Sequence, residues 1–188
     1  MILRDPAEPA FSQYLHQLSV GLMRSSFREH LEKCLRNDRK RLSIFHPFLE
    51  VGLYSAQVKR YLDLFPRERI RIYWYEDAWR DMPAMLADLF EFLAVDSGFR
   101  SDTSRKSLER RRPRWLSAHH FLKKFRLWYP LRALVPDALI PRLRAAAFRQ
   151  GKSLKMDRPD REFLIGYYRE DILKLSAMLD RDLSAWLM

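Results

Sequence analysis

The sequence predicts an α/β fold in which helices flank a mostly parallel sheet. The chain has 188 residues, of which 47% are hydrophobic and 31% are charged, as in a globular domain with a real core. Along residues 1–95 short apolar strands alternate with amphipathic segments in the order β-α-α-α-β-α, which is typical of α/β proteins. The remainder is helix-rich. We therefore predict one domain that spans residues 1–188.

The first half opens on a short apolar strand, MIL, that stops at Asp5-Pro6. Asp before Pro in the first turn is a favourable helix start, and the following apolar residues keep a 3.6-residue period. Two more helices are predicted over FREHLEKCLRN and GLYSAQVKRYLDLF, the second ended by Pro66. RIRIYWYE alternates like a strand, and Asp81 is expected to cap a helix over DMPAMLADLFEFLAV.

The second half begins with a basic linker over residues 96–115, which contains SRKSLERRRPRW. Residues 116–150 have helical character interrupted by Pro130, Pro136 and Pro141. A long amphipathic helix is predicted at about Pro159–Leu179.

The charge balance points to an anionic partner. Lys and Arg number 35 against 24 Asp and Glu, a formal net charge of +11. Nucleic acid, phosphorylated nucleotides, acidic lipids and acidic glycans all meet that description. No helix-turn-helix, finger or ribonucleoprotein motif indicates specific nucleic-acid binding. A non-enzymatic basic module for nucleic acid or anionic surfaces stays open as an alternative function.

The cysteine content and the search for membrane-spanning and signal segments predict the cellular compartment. Cys34 is the single cysteine, so the chain cannot form an internal disulfide. Its helical spacing from Leu31 and Leu35 predicts a packed thiol. No segment reaches the about 18 apolar residues of a membrane span, and no signal-peptide pattern occurs. We therefore expect a cytoplasmic protein.

Three residues near the start could bind an anion. Arg4 follows a strand, where ligands collect in open α/β sheets, and Ser12 lies two turns into the next helix. A guanidinium and a hydroxyl at these places can bind one phosphate, although Arg4 could instead pair with Asp5 or Glu8. His16 lies one turn beyond Ser12 and could act as a base or stabilise an oxyanion, or it could simply face solvent.

These residues carry a resemblance to a known family. LRDPAEPAFSQY resembles the 3′-phosphate-binding segment of sulfotransferases that use 3′-phosphoadenosine 5′-phosphosulfate (PAPS). The stretch from GLYSAQ to FLAVD is similar to that family's Gly-x-Tyr helix, Phe-Pro turn and strand ending in Glu-Asp. MDRPDREFLIGYYREDILKLSAMLDRDLSAWL resembles its C-terminal helix. The resemblance covers residues 1–95 and 156–187 well and the middle loosely.

The resemblance implies a P-loop-like fold and a set of roles. PAPS would be the sulfuryl donor, and a hydroxyl or amine of a glycan, lipid or small molecule the acceptor. Arg4 and Ser12 would hold the 3′-phosphate. His16 would face the acceptor, as in the heparan-sulfate N-sulfotransferase branch, and Tyr54 would pack either near the nucleotide or in the core. Gly151 and Lys152 partially match the loop that closes over the nucleotide, and Ser107 with Arg114 is a weaker candidate pair.

Departures from the family pattern also yield predictions. Pro9 stands where the family usually has Arg. The family's phosphosulfate-binding loop has no counterpart, and G-x-x-x-x-G-K-[ST] is absent. The sequence therefore predicts a sulfotransferase fold missing its N-terminal strand-loop-helix, with impaired turnover. An exposed sheet edge would favour self-association. A P-loop kinase relative is the remaining alternative, less favoured because Arg4 and Ser12 have the sulfotransferase spacing.

Overall fold

The computed structural model describes residues 1–36, 48–96, 98–99, 111–115, 117, 120–122, 125, 135–150 and 155–188. The helices in this part of the chain are α1 Ala7–Ser19, α2 Phe27–Leu35, α3 Tyr54–Leu64, α4 Tyr75–Arg80, α5 Met82–Phe92, α6 Ile140–Ala147 and α7 Arg158–Leu179. Short 3-10 turns cover Glu50–Gly52, Arg67–Arg69, Asp137–Leu139 and Ser184–Leu187. The strands are β1 Ile2–Leu3, β2 Tyr73–Trp74, β3 Arg111–Pro113 and β4 Phe148–Gln150.

The chain divides into two compact units. Unit 1 comprises Met1–Glu8, Gly52–Ser107 and Ile165–Met188, and unit 2 comprises Pro9–Val51 and Leu108–Leu164. The single domain over residues 1–188 stays a prediction. Among the described residues, no helix has the length and apolar character that crossing a membrane requires.

The sheet of unit 1 is a parallel pair, as the alternation of strands and helices predicted. Ile2 pairs with Tyr73 and Leu3 with Trp74, and the Tyr73 amide donates to the Met1 carbonyl at 2.8 Å. The strand predicted over RIRIYWYE was too long, because its pairing ends at Trp74 and a helix begins at Tyr75. β1 offers only two partners, and acidic residues directly after the strand favour a helix N-terminus.

Helix starts follow the predicted capping residues. The Asp5 carboxylate accepts from the Ala7 amide at 3.0 Å, and the Asp81 carboxylate accepts from the Ala84 amide at 3.0 Å. Pro141 lies in the first turn of α6 and does not interrupt that helix, which corrects the prediction of a break there. The predicted apolar face of α3 buries Val58, but Tyr61 remains 52% exposed.

Unit 2 contains an antiparallel pair that the sequence did not predict. β3 lies inside the predicted linker 96–115 and pairs with β4, so that Arg112 is opposite Arg149. The core of this unit includes an aromatic cluster beside buried leucines. The rings of Phe11, Tyr14 and Phe27 cluster with centroids 4.9–6.2 Å apart.

Cys34 is a packed residue, as predicted. Its side chain is 8% exposed, and its Sγ lies 3.7 Å from Nε2 of the buried His30. Burial, and secondarily the Glu50 carboxylate, raise the pKa of the thiol to about 11. A thiol with that pKa stays protonated at neutral pH and is a poor nucleophile.

Candidate functional site

A cleft of about 530 Å³ lies in unit 1 at the carboxyl ends of the two parallel strands. Arg4 and Tyr75 leave the sheet there directly after the paired residues Leu3 and Trp74. This edge is where open α/β sheets bind ligands. The cleft is lined by Arg4, Asp5, Glu8, Trp74, Tyr75, Glu76, Asp77, Trp79, Arg80, Arg181, Asp182, Leu183, Ala185 and Trp186.

Arg4 is held on two sides within this cleft. Its Nη2 lies 3.2 Å from Oε2 of Glu8, so the pairing considered as an alternative does form. Its guanidinium carbon lies 4.2 Å from the centre of the Tyr75 ring. Both charged side chains are about 30% exposed, and such partly exposed pairs contribute at most about 1 kcal/mol. A guanidinium has five donors, of which this ion pair uses one.

The excess positive charge of the chain is not located in the cleft. Five carboxylates and three guanidinium groups line it, which gives a formal charge of −2. Arg181 donates to Asp77 at 2.7 Å, and Arg80 lies 3.6 Å from the same carboxylate. An anionic ligand would therefore be bound by individual guanidinium groups and not by a general excess of positive charge.

Aromatic rings form the walls of the cleft. Tyr75 and Trp79 stack one helical turn apart on α4, with centroids 6.0 Å apart and planes at 14°. Trp186 packs edge-on against Trp74 at 5.7 Å and against Tyr54 at 6.4 Å. Flat apolar faces of this kind suit a planar ring in a ligand.

Tyr54 lies beside the cleft and is fixed through its backbone. The amides of Tyr54 and Ser55 donate to Oδ2 of Asp171 at 2.7 and 3.1 Å, and the Ser55 hydroxyl also bonds this carboxylate. A carboxylate at the start of α3 offsets the partial positive charge of a helix N-terminus. Burial, and secondarily Asp5, raise the pKa of the Tyr54 phenol to about 12, while Arg4 acts in the opposite direction.

The Gly-x-Tyr sequence has a steric explanation in unit 1. A Cβ at Gly52 would lie 2.7 Å from Cζ of Tyr168, a side chain that is 1% exposed. Glycine therefore allows the backbone before Tyr54 to pass close to α7. The motif thus reflects packing between chain segments as well as any contact of Tyr54 with a ligand.

The other predicted site residues lie elsewhere in the chain or outside the described residues. Ser12 and His16 lie one turn apart on α1, where Ser12 is partly buried and His16 is exposed. Ser12 and His16 belong to unit 2 and Arg4 belongs to unit 1. The binding of one phosphate by Arg4 and Ser12 together therefore stays a prediction. The Arg114 amide donates to the Ala147 carbonyl at 2.9 Å. Gly151, Lys152 and Ser107 lie outside the described residues.

Sequence reasoning missed the aromatic and basic residues of the cleft. Tyr75, Trp79, Trp186 and Arg181 were not singled out, although the first two are four residues apart in YWYEDAW. Assigning Tyr75 to the strand RIRIYWYE hid its helical spacing from Trp79. In the part of the chain that the structure describes, no three His, Cys, Asp or Glu side chains group as metal ligands.

Comparison with known proteins finds similarity among solved structures. A scan against protein-family models finds no match, and a search of curated proteins finds none either. Among solved structures, a sulfotransferase from Alicyclobacillus acidocaldarius matches with a TM-score of 0.65 and 29% sequence identity. The match covers 100% of this chain and 56% of that chain.

This similarity agrees with the resemblance to sulfotransferases that the sequence motifs indicate. It also supports the α/β fold with its small parallel sheet. The chain spans little more than half the length of that sulfotransferase, at 56%. The donor, the acceptor and the roles of individual residues are therefore proposals for this chain.

Proposed function

We propose that the chain takes part in sulfuryl transfer from PAPS to a hydroxyl or amine acceptor. The similarity to a bacterial sulfotransferase at 29% identity carries this proposal. The position of Arg4 at the carboxyl end of β1, within a ligand-sized cleft, supports it. No observation on the described residues favours a nucleic-acid module in its place.

The donor would be bound by its nucleotide end. In this proposal Arg4 and Ser12 hold the 3′-phosphate, with paired charged donors from the guanidinium and one from the hydroxyl. The stacked rings of Tyr75 and Trp79 present a flat surface in the same cleft as Arg4. Tyr54 is a neutral phenol at neutral pH, where it can donate a hydrogen bond, and burial moves its pKa further from neutrality, to about 12.

The chemical step would be an in-line displacement at sulfur. The acceptor oxygen or nitrogen attacks the sulfur as the bond from sulfur to the phosphate oxygen breaks. 3′-Phosphoadenosine 5′-phosphate leaves with the electron pair of that bond. A base removes the acceptor's proton, and the exposed His16 is the candidate for this role. Cations near the leaving phosphate would lower the barrier, as in phosphoryl transfer.

Nucleotide binding through Arg4 can be tested in the absence of sulfuryl transfer. In calorimetric titrations of the 188-residue chain, we expect 3′-phosphoadenosine 5′-phosphate to bind more tightly than 5′-AMP. Arg4→Ala should remove most of that preference, because hydrogen bonds to charged groups contribute about 1.5–3 kcal/mol. The matched control is Arg69→Ala, an exposed arginine outside the cleft. Equal binding of the two nucleotides by the unmodified chain would contradict the proposal.

Sulfuryl transfer by the chain is predicted separately from nucleotide binding. These 188 residues contain no P-loop-type sequence to hold the 5′-phosphosulfate, so we expect nucleotide binding with little sulfuryl transfer. A radiolabelled-PAPS assay against a panel of hydroxyl and amine acceptors measures this. Rapid transfer would show that the chain holds the phosphosulfate with other residues.

A further inference from the structure

The positive charge of the chain is concentrated in unit 2. That unit contains 22 Lys and Arg against 9 Asp and Glu, a net charge of +13, whereas unit 1 contains 13 against 15, a net charge of −2. Residues 108–164 alone hold 15 basic and 5 acidic residues. The charge that predicted an anionic partner therefore lies outside the cleft of unit 1.

Exposed apolar side chains occur within this same basic stretch. Leu139 is 44% exposed and ends the 3-10 turn that precedes α6, and Leu143, four residues later in the first turn of α6, is 51% exposed and follows the exposed Arg142. Trp115 is 66% exposed. The hydrogen bond from the Arg114 amide to the Ala147 carbonyl ties the chain next to Trp115 to the end of α6. We call Arg114, Trp115, Leu139, Arg142 and Leu143 the basic–apolar patch.

Two phenylalanines add to the apolar surface of unit 2. Phe121 is 53% exposed and Phe125 is 55% exposed, and their ring centroids are 4.6 Å apart. Single exposed apolar residues are common on soluble proteins, but exposed Trp, Phe and Leu side chains on a strongly basic unit have the composition of interfacial membrane-binding surfaces.

We infer that unit 2 binds the surface of an anionic lipid bilayer through the basic–apolar patch. Trp115, Leu139 and Leu143 would enter the boundary between headgroups and acyl chains, while Arg114 and Arg142 remain at the headgroup phosphates. The exposed leucines favour this partner over nucleic acid, because a phosphate backbone offers them no apolar surface. The inference does not depend on sulfuryl transfer.

Vesicle co-sedimentation of the 188-residue chain tests this inference. Vesicles of phosphatidylcholine with phosphatidylglycerol should bind the chain, and vesicles of phosphatidylcholine alone should not. Binding should weaken as salt is raised. Arg142→Gln should lower the partition coefficient about fivefold, the equivalent of one basic residue near an anionic surface. Arg69→Gln, an exposed arginine of unit 1, should leave it unchanged.

A second pair of variants separates lipid insertion from charge. Leu139→Ser combined with Leu143→Ser leaves the net charge unchanged and should lower binding about tenfold, because two half-exposed leucines lose their apolar contact. The control is Leu64→Ser combined with Leu93→Ser, which removes leucines that are 75% and 56% exposed in unit 1. Near-ultraviolet circular dichroism confirms that each variant is folded.

Three results would overturn the inference. The first is an absence of phosphatidylglycerol-dependent binding. The second is equal loss of binding in the two double-serine variants. The third is unchanged binding of the Leu139 and Leu143 variant together with full competition by duplex DNA, which would identify a general polyanion surface.

Discussion

Replacing Gly52 with Ala places a methyl group against the buried ring of Tyr168. The new Cβ would lie 2.7 Å from Cζ and from Oη and 2.8 Å from Cε1. Carbon atoms in contact normally lie about 3.5–4.0 Å apart. Because Tyr168 is 1% exposed, its ring is enclosed by other atoms and cannot move into solvent. We expect a loss of about 1–3 kcal/mol in the free energy of unfolding, typical of overpacking.

The assay is thermal unfolding followed by circular dichroism. For a chain of this size each kcal/mol corresponds to about 2–4 °C, so the melting temperature should fall by roughly 2–12 °C. Gly166→Ala is the matched control, since nothing lies within 4 Å of a Cβ there and Gly166 is inside α7. That change should stabilise by about 0.5–1 kcal/mol, the opposite sign.

A double variant tests the steric reasoning itself. Tyr168→Phe removes Oη but leaves the ring carbons 2.7 and 2.8 Å from the new methyl group, so it should not rescue Gly52→Ala. If Gly52→Ala and Gly166→Ala shift the melting temperature equally, the Tyr168 ring moves aside without a loss of stability. The steric explanation of the Gly-x-Tyr motif would then be wrong.

Three further predictions concern carboxylates and the thiol. Asp171→Asn should lower the free energy of unfolding, measured by urea denaturation, by about 1–3 kcal/mol, because amides at the start of α3 lose a charged acceptor. The control Asp63→Asn, at an exposed carboxylate, should change it by less than about 0.5 kcal/mol. Hydrogen bonds from Arg71 lower the pKa of Asp88 to about 2, so its contribution to stability is present above about pH 4 and lost as pH falls to about 2. Carboxyl NMR titration measures this, and a pKa near 4 would contradict it. Cys34, with its pKa raised to about 11, should resist Ellman's reagent at pH 8 in the folded chain and react in urea, and fast reaction without denaturant would show that it is accessible.

Local chemistry explains which elements could be predicted from the sequence. Asp5 and Asp81 were recognisable as capping residues because a carboxylate satisfies helix amides without help from distant segments. The parallel pairing of β1 with β2 followed from strands separated by helices. Arg4 was placed in the candidate site because strand ends in such sheets are common ligand sites.

Features that depend on contacts distant in sequence were not predictable. Tyr75 follows a strand in a pattern that would suit either a strand or a helix, and the two-residue length of its partner β1 limits the pairing there. Trp186 is more than a hundred residues from Trp74, and no local signal indicates that their rings meet at 5.7 Å. The pairing of β3 with β4 likewise joins segments that appeared as linker and broken helix.

The direct passage from β2 into α4 makes the cleft sensitive to changes in chain length. No residue separates Trp74 from Tyr75, so an insertion between them cannot be absorbed by a loop. One added residue would turn α4 by about 100° relative to the sheet and carry the Tyr75 ring away from Arg4. An insertion at the turn after Pro66, by contrast, leaves both strands and this aromatic contact in register. Among homologues that keep the cleft, length variation is therefore expected at the turn and not at the strand end.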